Sequence, residues 1–313
     1  MSARSQRHAF AEARGDLLAR WHAAPTASAF SHPDVCAAAA DALGLDLAAW
    51  TCGDACALAF EKRALGLRVL ARPPLLPVSA PVLAAPPTEA QSHAGGTDLD
   101  ALLGALGAHY GQATFALPPH WPDARPFAWA GWRVETRATY ILDLPTAPER
   151  WSKGRRHDAR AEGFEVRLDA DAPELAAAFQ TRAYARKGVP LAESADQMAR
   201  VARAAGEAGL LRTASVWRDG EAQAAALFVV RGDRATYWLA GSTPGPAQAV
   251  LFAHATAALA ADGVAALDLS GANVPGVAEF KRQFGARLVP TAVARWTRGV
   301  LGLRDALGRV RLR

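Results

Sequence analysis

The sequence predicts an α+β protein whose second half is a mixed sheet flanked by helices, and three observations carry that reading. Leu211 to Arg218, Ala222 to Val230 and Ala235 to Ala240 are strand-like runs separated by Asp219-Gly220 and Gly232-Asp233. Such dipeptides suit tight hairpins, so the runs form an antiparallel meander. The last run is followed by a glycine-proline loop (Gly241 to Pro246), a helical stretch (Ala247 to Ala261) and an apolar strand (Val264 to Leu269). A strand, helix, strand unit of this length favours parallel pairing. Charge also changes along the chain: residues 26–136 carry 6 Lys+Arg against 10 Asp+Glu, whereas residues 137–313 carry 25 against 18. We therefore divide the chain into an N-terminal extension (1–25), a first domain (26–136) and a second domain (137–313).

Taken in order, Ala9 to His22 reads as a helix, and His32-Pro33-Asp34 opens another that runs to Leu43. Leu45 to Trp50, Ala57 to Glu61 and Leu65 to Ala71 read as strands. Pro73 to Pro87 is too rich in proline for a regular helix and reads as extended or loop structure. Gln91 to Thr97 is a polar break, after which Thr97 caps a helix from Asp98 to Tyr110 with acids in its first turn. Strand Ala113 to Leu117 closes the first domain. The second begins near Gly131 with a strand ending at Pro145, a basic helix Ala147 to Gly163, a strand Phe164 to Leu168 and helices Pro173 to Lys187 and Ser194 to Gly209.

The stretch Ala261 to Pro290 is the densest in signals. Gly263 stops one helix, a buried strand leads into a small-residue loop (Ser270, Gly271, Ala272, Asn273), Pro275 starts a short helix, and Gly285 ends it before a strand from Leu288 to Ala294. On the short helix Val277, Phe280 and Phe284 share a face, with Lys281 on its flank, leaning towards the sheet. Two readings of Lys281 stand at this point: an aliphatic stem covering an aromatic core, or a buried cation at a site. The Gly241 to Pro246 loop is likewise either a plain helix entry or a set of backbone N–H groups aimed at an anion.

At 313 residues and 51% hydrophobic, the chain can fill two cores. No apolar run approaches the roughly 20 residues of a membrane helix, and the N-terminus lacks the apolar core of a signal peptide, so a cytoplasmic protein is expected. Cys36, Cys52 and Cys56 have no partner pair with metal-ligand spacing, and no metal is expected. From Lys281 to Arg313 there are nine basic residues and one acid, Asp305, either a solvated basic tail or a surface for a polyanion.

The succession TYILDLP, ARKGVPL, GSTPGPAQAVLFAHATAALAADG, ALDLSGAN and VAEFKRQFGA, over about residues 137 to 297, resembles the Fem-like branch of the GNAT superfamily of N-acyltransferases. The resemblance implies two GNAT-like domains in tandem, the N-terminal one degenerate. It further implies transfer of an acyl group from acyl-CoA to a primary amine of a small molecule or peptide, by direct attack. Asp268 is then the candidate acceptor or positioner of the amine proton, and Lys281 the candidate cation near a donor phosphate or the oxyanion. Gly241, Ser242, Thr243, Gly245 and Asn273 fall to the donor, and Arg186, Lys187, Tyr237 and Ser270 to the acceptor. The Gly241 to Pro246 loop departs from the usual acyl-CoA pattern in lacking a basic or amide residue and closely spaced glycines. An aminoacyl-tRNA donor, with tRNA bound through the basic C-terminal stretch, is therefore the second expectation, and a non-catalytic binding protein on the same fold the third.

Overall fold

The computed structural model describes residues 4–25, 27–146, 148–169 and 172–298. Of the basic C-terminal segment, Arg304, Arg309, Arg311 and Arg313 lie outside the described residues. The chain forms two compact units, Met1–Thr136 with Thr291–Arg313, and Arg137–Pro290.

In the first unit the strands are β1 (Gln6–Ala9), β2 (Asp46–Cys52), β3 (Ala55–Ala64), β4 (Leu67–Ala71), β5 (Val82–Leu83) and β6 (Gln112–Ala116). Its helices are α1 (Phe10–Ala23), α2 (Pro33–Leu43), α3 (Glu89–Ala94), α4 (Asp98–His109) and α5 (Arg125–Trp129). Local chemistry sets the boundaries. Pro33 sits in the first turn of α2 and Gly44 ends that helix in a left-handed conformation. Thr88 with Gln91, and Thr97 with Asp100, form reciprocal capping boxes. The first of these builds α3 where the sequence reads as a polar break, because the cap compensates for a short helix with little apolar surface. β1 is a further departure: this strand, not visible as an apolar pattern, pairs with β2 and is held by the Arg7 guanidinium on Glu61.

β2, β3 and β4 form a meander, α4 follows, and β6 pairs parallel with β4 through Val69 opposite Gln112 and Leu70 opposite Ala113. Beyond Leu70 the proline-rich segment fills the line that β4 abandons. Leu75, Leu76, Val78 and Ala80 are buried. Ser79 donates its N–H to Ala116 O (3.0 Å), and its Oγ accepts from Ala116 N–H (3.1 Å). β5 then pairs with the start of β3.

The second unit repeats this succession on a larger scale. Its elements are β7 (Arg133–Asp143, in this unit from Arg137 onward), α6 (Lys153–Asp158), β8 (Glu165–Leu168), α7 (Pro173–Arg186), α8 (Ala195–Glu207), β9 (Leu211–Arg218), β10 (Glu221–Arg231), β11 (Arg234–Ser242), α9 (Ala247–Ala261), β12 (Ala266–Asp268) and α10 (Pro275–Arg282). The strand order is β7-β12-β11-β10-β9-β8. Asp219 and Gly220 both take positive φ, as a two-residue hairpin between right-twisted strands requires. The sheet is covered on both faces. Ala224, Ala226 and Phe228 of β10 pack with α9, and the equally buried Ala225, Leu227 and Val229 alternate to the face of α7 and α8. The basic helix expected from Ala147 to Gly163 is shorter: a 3₁₀ turn, Pro148–Arg150, precedes α6, which Ser152 starts afresh by capping Arg155 N–H. The final strand, β13 (Arg287–Thr297), places its residues from Thr291 onward in the first unit, where Val293 pairs opposite Ala116 and Thr297 opposite Gln112.

Candidate active site

β11 and β12 run parallel for only three residue pairs, Arg234 with Ala266, Ala235 with Leu267 and Thr236 with Asp268, and then separate. β12 leads into a loop that turns to β7: Leu269 N–H donates to Tyr140 O (2.8 Å) and Ala272 N–H to Ala138 O (2.8 Å). β11 continues along β10 to Ser242, with an irregularity in pairing between Ala226 and Phe228 that turns the strand about its axis. The two strands thus fork past Thr236 and Asp268, the interval between them being the slot, and β11 leads on through the Gly241–Pro246 loop to α9.

One wall of the slot is the 268–273 loop, held by a buried polar cluster. Thr139 Oγ1 donates to Asp268 Oδ1 (2.5 Å) and accepts from Gly271 N–H (2.9 Å), while Ser270 N–H donates to the same carboxylate oxygen (2.8 Å). Ser270 has φ +62 and Gly271 φ +88. A left-handed serine is uncommon outside strained or functional loops, and these hydrogen bonds hold it there. Lys281, on α10, is 5% exposed and donates to Ser270 O and Gly271 O, both at 2.7 Å. Two of the three N–H groups of the ammonium are thus engaged by backbone. Burial pulls its pKa down to about 8, Asp268 opposing and Lys187 adding to the shift. Burial pushes the Asp268 carboxyl up, against the hydrogen bonds from Thr139 and Ser270 and the charge of Lys281.

The other sequence-predicted residues fall around the same slot. Asn273 places its whole amide on β7, Oδ1 accepting from Ala138 N–H (3.1 Å) and Nδ2 donating to Ala138 O (3.2 Å), so it fixes the loop. At the start of α9, Thr243 donates its hydroxyl to Gln223, Gly245 has φ +126 with open space around a notional Cβ, and Pro246 supplies no side-chain cap. The first N–H groups of α9 are thus left to backbone, water or ligand. Tyr237 faces α9, packed on Phe252 with ring centroids 5.0 Å apart, and its hydroxyl accepts from Gln248 Nε2 (3.1 Å). It therefore lies against the first turns of α9. Arg186 closes the other side, donating to Ser242 O (2.7 Å), and Lys187, exposed, follows as the C-cap of α7.

Three residues of this site lack a sequence signal: Thr139, Gln180 and Gln248. Gln180 Oε1 accepts from Ala240 N–H (3.2 Å), and Gln248 is buried in the first turn of α9. Each is polar within a stretch of ordinary amphipathic pattern, and only the fold shows what it faces. The first unit also has a recess of about 440 Å³, between the β2–β3 turn at Asp54 and the loop at Gly95, Gly96 and Asp98. None of the predicted residues lines it. Among the described residues no His, Cys, Asp and Glu group is arranged to hold a metal, and no helix is long and apolar enough to cross a membrane.

Residues 149–282 match the family described as Acetyltransferase (GNAT) domain. The second unit is a GNAT-type domain. By sequence, no curated protein matches the chain. Among solved structures, FemX is similar with a TM-score of 0.67 at 11% identity, over 89% of this chain and 95% of that one. A conserved protein of unknown function from Bacteroides thetaiotaomicron is similar at TM-score 0.62 and 10% identity, over 94% of this chain and 100% of that one. The C-terminal domain of a putative lysylphosphatidylglycerol synthetase from Agrobacterium fabrum is similar at TM-score 0.52 and 16% identity, over 82% of this chain and 84% of that one. The GNAT-type domain thus lies in a chain with the fold of FemX, as the resemblance implies.

Proposed function

We propose that the second unit is an N-acyltransferase that moves an acyl group from acyl-CoA to a primary amine, with the donor lying in the slot between β11 and β12. The fork at Thr236 and Asp268, within a GNAT-type domain and opening towards the uncapped N-terminus of α9, is the observation that supports this reading. The Gly241–Pro246 loop and the first turn of α9 receive the donor phosphates, because a helix start without a side-chain cap and the helix dipole favour an anion there. The amine attacks the thioester carbonyl, a C–N bond forms, the C–S bond breaks, and the amine proton leaves through water to the thiolate.

Asp268 and Lys281 act in this scheme by positioning. The Asp268 carboxylate already accepts from Thr139 and Ser270, and the Lys281 ammonium is engaged by two carbonyls. Together they hold the 268–273 wall in the conformation that keeps the slot open. Arg186, Lys187 and Ser270 lie on the acceptor side, and Tyr237 with Gln248 on the donor side. The first unit is the degenerate partner: Ser79 and the proline-rich segment occupy the place of its slot.

Separate titrations of acetyl-CoA and of total tRNA, followed by assay of acetyl transfer to a panel of primary amines, test the reading. Saturable acetyl-CoA binding with transfer to at least one amine is expected. Binding of tRNA without acetyl-CoA would instead favour an aminoacyl-tRNA donor, a second reading supported by the fold shared with FemX over 89% of this chain.

A further inference from the structure

The backbone groups of β11 past the fork divide by direction. Thr243 N–H donates to Gln223 O (2.8 Å) and so faces β10, whereas Ala240 N–H and Ser242 O face the opening. An edge of this kind is a template for an extended ligand, since an amide carbonyl or a thioester can pair with it as another strand would. In this structure both groups are taken by one helix. Gln180 Oε1 accepts from Ala240 N–H (3.2 Å), and Arg186 donates to Ser242 O (2.7 Å). Between them, a Cβ on Gly241 would collide with Phe179 O, so α7 is pressed onto the strand at a residue without a side chain.

We infer that Gln180 is a gate on the donor slot: its side-chain carbonyl occupies the Ala240 N–H that the donor must take, and it leaves when the donor enters. This rests on the acyl-CoA reading above. The competition follows from simple counting. A single edge N–H serves one acceptor well, Gln180 is tethered beside it, and a donor carbonyl gains that hydrogen bond only by giving Gln180 Oε1 back to water. Arg186 is not equivalent, because it donates to Ser242 O and so occupies a carbonyl, not the N–H that a donor carbonyl needs.

The test uses the full chain with acetyl-CoA as probe. In Gln180→Ala, whose tethered acceptor is absent, acetyl-CoA should bind about three- to tenfold more tightly, the range expected for one net hydrogen bond. Gln180→Glu keeps an acceptor in place and should show no tightening. Amide hydrogen exchange supplies a ligand-free readout: Ala240 N–H should be protected in the wild type and in Gln180→Glu, exchange faster in Gln180→Ala, and regain protection when acetyl-CoA binds. Equal Ala240 protection in all three proteins, or unchanged or weaker acetyl-CoA affinity in Gln180→Ala, would overturn the gate. No acetyl-CoA binding to any of the three would overturn the donor reading and the gate with it.

Discussion

Lys281 shows how one buried charge is used twice. Its ammonium sits at the carbonyls of Ser270 and Gly271 and holds a left-handed serine in place, which a methionine of similar length cannot do. Lys281→Met should therefore loosen the loop, raising amide exchange at Gly271 and Ala272, and lower the transfer rate about a hundredfold, the scale of a site misplaced by about 1 Å. A fully active variant with unchanged exchange would remove the positioning role. Proton linkage gives a second readout. Burial lowers the Lys281 pKa from 10.5 to about 8, so above about 8 the folded protein has lost this proton while the unfolded chain keeps it until about 10.5. Stability from this group thus rises with pH across that window and is lost as pH falls through about 8. The wild type should gain about 5 °C in Tm across the window relative to Lys281→Met, measured by calorimetry. Parallel Tm profiles for the two proteins would contradict it.

At the level of elements, glycines separate close packing from open backbone. Gly241 meets Phe179 O and cannot accept a side chain without moving α7, while Gly276, in α10, has open space around it. Gly241→Ala should destabilise the protein by about 2 kcal/mol or more, whereas Gly276→Ala should be neutral or stabilise it slightly, as chemical denaturation would show. Gly245 differs again, with room for a side chain but φ +126. Gly245→Val should weaken acetyl-CoA binding by crowding and straining the α9 entry, with amine KM unchanged. Unchanged acetyl-CoA affinity would make that loop a plain helix entry. The hairpins, the α9 crossover and the glycine and proline boundaries of α10 were legible because each rests on local signals a few residues long. The site was legible only in part. The inward lean of Lys281 follows from helical phase, but the direction of its ammonium depends on where the 270–271 carbonyls fall. Asn273 carries the mark of a ligand-binding loop, yet its amide completes the β7 edge. Gln180 reads as one more polar residue on α7, because its partner, Ala240, lies 60 residues away in sequence.

For the whole molecule, the repeated meander, helix and parallel strand raises the question of how many donors one chain binds. If the basic stretch after Thr297 served tRNA, truncation there would abolish salt-sensitive tRNA binding; we expect filter binding to show none in either form, because no aromatic platform accompanies those arginines. The donor count can be argued from the two forks. In the second unit the strands separate after Thr236 and Asp268, and the loop beyond turns away to β7. In the first, the paired strands end at Leu70 and Ala113, but Ser79 rejoins β6 at Ala116 through both its N–H and its Oγ, with Leu75, Leu76 and Val78 buried behind it. A ligand would have to extract those side chains, at roughly 1.5–3 kcal/mol for each large apolar group exposed, and break the Ser79 pairing as well. Such a penalty exceeds what a few edge hydrogen bonds return. Isothermal titration of the full chain with acetyl-CoA should accordingly give one site, and Gly245→Val should weaken that single site with no second one left behind. Two sites per chain, or a residual site of unchanged affinity in Gly245→Val, would mean that the proline-rich segment yields to ligand and that the first unit binds donor too.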